Sequence, residues 1–162
     1  MHFTKIFTFA TLFISCCLSA ATIQGKVVGV ADGDTVTVLD AQKNQHKIRL
    51  QGIDAPEKAQ AYGNKSKQSL HEMVHGQKVT VDYQKKDKYG RVVGKILLNN
   101  TDVCLEQIKR GMAWHYKQYA NEQPKEDRET YTLAEQQAKD ELKGLWKDKQ
   151  HVPPWEFRKQ NR

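Results

Sequence analysis

Ile48-Arg49-Leu50-Gln51-Gly52-Ile53-Asp54-Ala55-Pro56-Glu57 begins as a strand and ends as a turn. Ile48, Leu50 and Gly52 fall on one face of an alternating segment, so Arg49 points off the other face, presented away from the core rather than buried. Pro56 lacks a ladder donor and biases Ala55 toward extended backbone, which stops the strand at Asp54-Ala55-Pro56-Glu57. The turn sets two carboxylates beside an arginine. One carboxylate can hold a hard cation through oxygen, the other can take a proton from water, and a guanidinium can grip a phosphate at two points. These groups are the minimum for metal-assisted phosphodiester hydrolysis. The same residue types also describe an ordinary solvated strand end, so the rest of the chain has to supply the missing parts.

Upstream, Ile23, Val27, Val28 and Val30 predict a strand from Thr22 to Ala31. Asp32-Gly33-Asp34 reads as a tight turn and Thr35 to Leu39 as a second strand. A polar turn from Asp40 to Gln45 leads into the third strand, His46 to Ile53. Downstream, a helix is expected from Asn64 to His75, with Leu70, Met73 and Val74 on one face and Gly76 past its end. Lys78 to Tyr83 and Val92 to Leu98 give the fourth and fifth strands. Thr101 or Asp102 caps a short helix ending at Gly111, and a last helix from Glu126 carries Tyr131, Ala134, Ala138 and Leu142 to a stop at Gly144. Five short strands with three helices predict an α+β, mainly β fold: a five-stranded Greek-key barrel of the oligonucleotide-binding (OB-fold) type.

The 162 residues make one domain's worth of chain, and 38% hydrophobic with 28% charged residues is globular rather than disordered. A net charge of +7 suits a polyanionic partner, nucleic acid or a membrane surface, without choosing between them. Lys5, the apolar run Ile6 to Leu18 and the small residues Ser19-Ala20-Ala21 have the layout of a secretory signal peptide. The expected division is therefore signal 1–21, domain 22–150 and tail 151–162, with a secreted or periplasmic product that keeps no stable membrane partner. A membrane or lipid anchor is the alternative reading of the same segment, since Phe13-Ile14-Ser15-Cys16 weakly resembles a lipoprotein cleavage box. Cys16 and Cys17 lie in that segment, leaving Cys104 without a disulfide partner and best read as a small buried residue. No Cys-x-x-Cys pair, Gly-Lys-Ser/Thr phosphate loop or Gly-x-Ser-x-Gly elbow occurs.

Two further stretches carry chemistry. Asp32 and Gly33 suit a turn for conformational reasons alone, whereas Asp34 starts a strand from which its carboxylate can converge on Asp54. Together they make two hard oxygen ligands, with the Ala55 carbonyl as a third. Lys85-Lys86-Asp87-Lys88-Tyr89-Gly90-Arg91 is a charged loop between strands. Arg91 follows the turn much as Arg49 ends its strand, and Lys88 and Tyr89 offer a phosphate contact and a stacking face. Two guanidiniums with a dication can neutralise the charge added at a five-coordinate phosphorus. His71 and His75, four apart on the first helix, lack a third ligand and are read as solvated. Pro153-Pro154-Trp155-Glu156-Phe157-Arg158 is expected to be non-helical because of its prolines, with aromatics that pack across the barrel rather than bind substrate.

Asp32-Gly33-Asp34-Thr35-Val36, Ile48-Arg49-Leu50 with Asp54-Ala55-Pro56-Glu57, and Asp87-Lys88-Tyr89-Gly90-Arg91 resemble, in order and spacing, the staphylococcal nuclease (thermonuclease) family. The likeness runs from about Gly25 to Trp146. The resemblance implies a five-stranded barrel with three helices and a calcium-dependent, sugar-nonspecific nuclease. Such an enzyme cleaves DNA and RNA on the 5′ side of phosphorus to leave 3′-phosphate ends. By that resemblance Arg49, Glu57 and Arg91 match the catalytic groups, and Asp34, Asp54 and the Ala55 carbonyl match the calcium ligands. Ala55 stands where the best-known member has threonine, but the ligand there is main-chain oxygen. Gly111-Met112-Ala113-Trp114-His115-Tyr116 resembles the segment near the nucleotide with a different aromatic register, which makes Tyr116 and Tyr119 candidate base contacts. A monomer is expected. The competing function is a catalytically inactive barrel that only binds nucleic acid, disfavoured because Asp34, Arg49, Asp54, Glu57 and Arg91 are all present.

Overall fold

The structure, a computed structural model, describes residues 21–161; the expected signal segment lies outside them apart from Ala21. Strand β1 (Ala21–Val30) pairs antiparallel with β2 (Thr35–Asp40), which pairs antiparallel with β3 (Gln45–Leu50). After the two-residue β4 (Ile53–Asp54) and helix α1 (Gly63–Val74), strand β5 (Lys78–Lys86) returns to the free edge of β1 and β6 (Val92–Leu98) pairs with β5. Parallel pairing of β3 with β6, from Ile48 opposite Val92 to Leu50 opposite Gly94, closes five strands into a barrel. Closure removes the open sheet edges that would otherwise expose unpaired backbone groups.

The alternating residues dictate what fills the barrel. Val27, Val36, Val38, Ile48, Val81 and Ile96 are fully buried. A bulge between Val27 and Gly29 leaves Val28 39% exposed. Beyond β6 a stub, β7 (Thr101–Asp102), leads into α2 (Val103–Lys109). One Asp102 oxygen caps α2 by accepting from the Leu105 N–H at 3.1 Å, and the other accepts from the Tyr131 hydroxyl at 2.7 Å, tying α2 to α3 (Lys125–Asp140). Cys104 is buried, as expected, and burial pushes its thiol well above the ordinary range.

Three expectations fail at element ends. The third strand stops at Leu50 rather than Ile53, because Gly52 turns the chain at a φ of 74° and Ile53–Asp54 pairs instead with β8 (Trp114–His115). Leu142 does not continue the apolar face of α3. It follows the helix end at a φ of 49° and is 60% exposed, while Glu135 takes a buried place on that face. The tail is helical: α4 spans Pro154–Gln160, with proline in the first turn, where its missing N–H costs nothing and its fixed φ suits the helix. His71 and His75 stack on each other at 4.3 Å on the exposed side of α1, and among the described residues no group of three or more His, Cys, Asp or Glu side chains is set to hold a metal ion by itself.

Candidate active site

The β1–β2 turn and the end of β3 meet because the backbone N–H of Leu50 donates to the Asp34 carbonyl at 2.8 Å, next to the Thr35–Arg49 pair of the β2–β3 ladder. Gly33 lets the turn lie close to α1. A Cβ there would collide with Ser66 Oγ and stand 2.7 Å from the Ala55 methyl, so the glycine has a packing reason beyond turn conformation. Asp34 Oδ2 accepts from the Ala55 N–H at 2.7 Å and lies 3.1 Å from Arg49 Nη2, which also donates to Asp54 Oδ1 at 2.9 Å. Arg49 Nη1 donates to the carbonyls of Leu50 and Ile53. Arg49 thus leaves the barrel face as expected, but it is folded over the turn and only 14% of its side chain is exposed, not freely presented. Its fork holds together the loop that carries both carboxylates.

Burial pushes the Asp34 carboxyl above its ordinary range, against the lowering influence of Arg49 and with help from Asp32 and Asp54. Burial likewise raises Asp54, opposed by Arg158 and Arg49. Two buried carboxylates that share one guanidinium nitrogen form an oxygen-only donor set, the ligand chemistry that fits a hard divalent cation completed by carbonyl, water or phosphate oxygens, although Arg49 and Arg158 both sit against it.

Asp54 is held from behind by β8, where Asp54 pairs with Trp114 and Ile53 with His115. The buried Glu135 accepts from the His115 N–H at 3.0 Å and pairs with Lys117 and Lys139, both at 3.0 Å. The His115 ring meets Gln123 at 3.0 Å and Thr132 at 3.2 Å. Nothing in the sequence reading singled out this polar network; its one signal is a glutamate four residues after Tyr131 on the core side of α3. Burial would raise the Glu135 carboxyl, but the hydrogen bonds from the two lysines outweigh it and the net direction is down. Its contribution is therefore present above the ordinary glutamate range and lost as pH falls below it. Glu135→Ala, which orphans the His115 N–H, is expected to destabilise the protein by about 1–3 kcal/mol at neutral pH in denaturant unfolding, and the difference from wild type should shrink in acid.

Glu57 lies beyond Pro56 with its side chain 41% exposed. Its Oε1 accepts a 2.7 Å hydrogen bond from Arg158 Nη1, which also reaches Asp54 Oδ1 at 3.2 Å while Arg158 Nη2 reaches Asp54 Oδ2 at 2.8 Å. Tyr116 stands in the same neighbourhood. Its hydroxyl is pushed upward by burial and next by the Asp54 charge, with Arg158 opposing. The Trp155 ring stacks on Tyr116 at 5.4 Å and 11°, and Tyr119 meets Tyr116 edge-on at 4.9 Å. Lys85 lies 5.9 Å from the Tyr119 ring, extending this aromatic row toward the β5–β6 loop.

That loop holds Lys88, Tyr89 and Arg91. Asp87 organises it: one carboxylate oxygen accepts from the N–H groups of Tyr89 and Arg91, the other from Arg91 Nε at 2.7 Å, and Gly90 makes the turn at a φ of 79°. Burial pushes the Asp87 carboxyl up, the Arg91 bonds pull it down, and the net is down. Tyr89 is 72% exposed, with Lys88 Nζ 5.1 Å and the Arg91 guanidinium 5.7 Å from its ring. Arg91 makes no ion pair with Asp34, Asp54 or Glu57 among the described residues; its Nε is anchored by Asp87, and neither Nη group is used in that anchor.

Asp34, Arg49, Asp54, Ala55, Glu57 and Tyr116 are thus gathered at one end of the barrel, with Tyr119 beside them and Lys88, Tyr89 and Arg91 on the adjoining loop. Arg158 and Trp155, which the sequence reading left out of the site, reach into it.

The family model described as staphylococcal nuclease homologue matches residues 47–148. A Haemophilus influenzae protein named as an uncharacterized endonuclease is 36% identical over 161 residues, covering 98% of this chain and 87% of that protein. An Escherichia coli protein of the same name is 40% identical over 139 residues, 85% of this chain and 86% of its own. A Shigella flexneri micrococcal nuclease is 32% identical over 148 residues, 86% and 82% of the two chains. With the barrel and the gathered carboxylates and arginines, these likenesses place the chain in the staphylococcal nuclease family.

Proposed function

We propose that this chain is a calcium-dependent, sugar-nonspecific endonuclease that hydrolyses phosphodiester bonds of DNA and RNA, leaves 3′-phosphate ends and acts as a secreted or periplasmic monomer. Its family makes it a nuclease, and nucleases of this family are metal-dependent. The observation that carries the proposal is the convergence of Asp34, Arg49 and Asp54 through shared hydrogen bonds, with Glu57 one guanidinium away from Asp54.

Asp34, Asp54 and the Ala55 carbonyl would hold the cation, which when bound supplies Lewis acidity toward a phosphoryl oxygen. Glu57, on the solvent side of these buried carboxylates, takes the proton of the attacking water as the new P–O bond forms and the P–O5′ bond breaks, and the departing O5′ takes a proton from solvent to leave as the 5′-hydroxyl. Arg49 and Arg91 bind the phosphate as negative charge develops on it. Tyr116 and Tyr119 offer faces for bases, while Lys88 and Tyr89 bind the flanking strand; stacking tolerates every base and accounts for a lack of sequence preference. The test is end-group analysis of products from DNA and RNA cut in calcium. The expected ends are 3′-phosphate and 5′-hydroxyl. Ends of 5′-phosphate would reject the assigned bond, and binding without cleavage would favour the inactive binding module.

A further inference from the structure

The C-terminal helix α4 is joined to the site by features that a passive tail does not need. Trp155 and Arg158, three apart and so on one face, both point into the site. Trp155 covers a face of Tyr116, and Arg158 places its fork across both oxygens of Asp54 and one of Glu57. The approach is fixed further back: Gln60 donates a side-chain N–H to the Val152 carbonyl, Pro154 is buried, and Trp155 packs on Trp114 at 5.7 Å. A planar, permanently charged fork is the side chain best matched to two carboxylates. We propose that α4 is an autoinhibitory latch, in which Arg158 occupies the carboxylates that receive the cation and Trp155 occupies the Tyr116 face that receives a base, so that docking of α4 excludes both ligands.

The exclusion follows from charge and from lone pairs. Asp54 Oδ1 already accepts from Arg49 Nη2, so hydrogen bonds from Arg158 to both Asp54 oxygens leave that carboxylate little capacity for a cation. A dication brought to Asp54 would also face the Arg158 guanidinium at close range, where like charges repel strongly. Arg158 on Glu57 Oε1 also ties up one oxygen of the carboxylate that takes a proton from water. With the latch docked the enzyme is off, and calcium together with nucleic acid is expected to release it.

This inference rests on the calcium reading above. If the latch is closed in roughly 70 to 97% of molecules, the apparent calcium Kd is raised about 3- to 30-fold over that of the open site. Calorimetric titration of the purified chain with calcium chloride is therefore expected to show Arg158→Ala and Arg158→Gln binding about 3- to 30-fold tighter than wild type. Lys159→Ala, the same charge change on the exposed neighbouring position, should leave the Kd unchanged. Hydrogen exchange on the unmodified chain gives a readout that needs no variant. Calcium with a short single-stranded DNA should speed exchange of the 155–160 amides relative to chelator.

Equal or weaker calcium binding by both Arg158 variants, or α4 amides protected as well or better with ligand, would overturn the latch. A 10-fold or larger fall in kcat with unchanged calcium affinity would make Arg158 a phosphate-binding group instead and also overturn it. The two levels are separable: wild type that neither binds calcium nor cleaves sinks the calcium reading and the latch with it, whereas calcium-dependent wild type with indifferent Arg158 variants sinks the latch alone.

Discussion

Glu57→Gln is expected to keep the fold and to lower turnover about 10²- to 10⁴-fold, the range in which a positioned general base contributes. The side chain is 41% exposed and, among the described residues, its one hydrogen-bonded side-chain partner is Arg158, so glutamine, which can still accept from that guanidinium, should unfold no earlier than wild type. Shape is retained while basicity is lost. The loss should appear in kcat, with KM for the nucleic acid nearly unchanged. Steady-state cleavage at saturating calcium, alongside a denaturant melt, measures both. Activity within a few-fold of wild type would remove Glu57 from the proton-transfer step, and a melt shifted far below wild type would make the residue structural.

Arg91→Lys is the second large effect, about 10²- to 10³-fold in kcat, the cost of losing one preorganised donor to the developing charge. The geometry explains why lysine should not substitute. Asp87 binds Arg91 through Nε and leaves the two Nη groups to grip a phosphate, and an ammonium has no separate nitrogen with which to be anchored. Arg91→Lys should thus be nearly as damaging as Arg91→Ala, while Lys86→Ala, on the exposed end of β5, should mainly alter salt-dependent binding. If the lysine variant keeps most activity, or if added salt makes the position 86 and 91 variants alike, the loop is an electrostatic guide and the two-arginine clamp is wrong. Arg49 would be a poorer choice for this experiment. Its fork also ties Asp34, Asp54 and the carbonyls of Leu50 and Ile53 together, so its removal confounds catalysis with loss of the loop.

The barrel was readable from the chain because its strands alternate cleanly: Val36, Val38, Ile48, Val79, Val81 and Ile96 announce their inward face by period alone. The clustering of Asp34, Arg49 and Asp54 was readable because a meander makes the first turn a neighbour of the third strand's end. What could not be read lies in contacts between residues far apart in sequence. Glu135 joins β8 to α3 across 20 residues, and Arg158 reaches Asp54 across 104. Neither has a local pattern that names its partner. The helix of the tail is hidden for a different reason: Pro153 and Pro154 read as breakers, although a proline at the start of a helix is favoured. Once Pro154–Gln160 is a helix, the spacing of Trp155 and Arg158 already puts them on one face.

On the proposed function, buried carboxylates at the end of the barrel bring a divalent cation to a phosphodiester that Glu57, Arg49 and Arg91 then help to cleave. The most direct measurement is the initial rate of cleavage of one DNA and one RNA substrate by the purified chain as calcium is titrated from excess chelator to saturation. The expected result is no cleavage in chelator and a saturable rise with calcium on both substrates. Cleavage that persists undiminished in chelator, or none at any calcium concentration by protein that still binds nucleic acid, would contradict it.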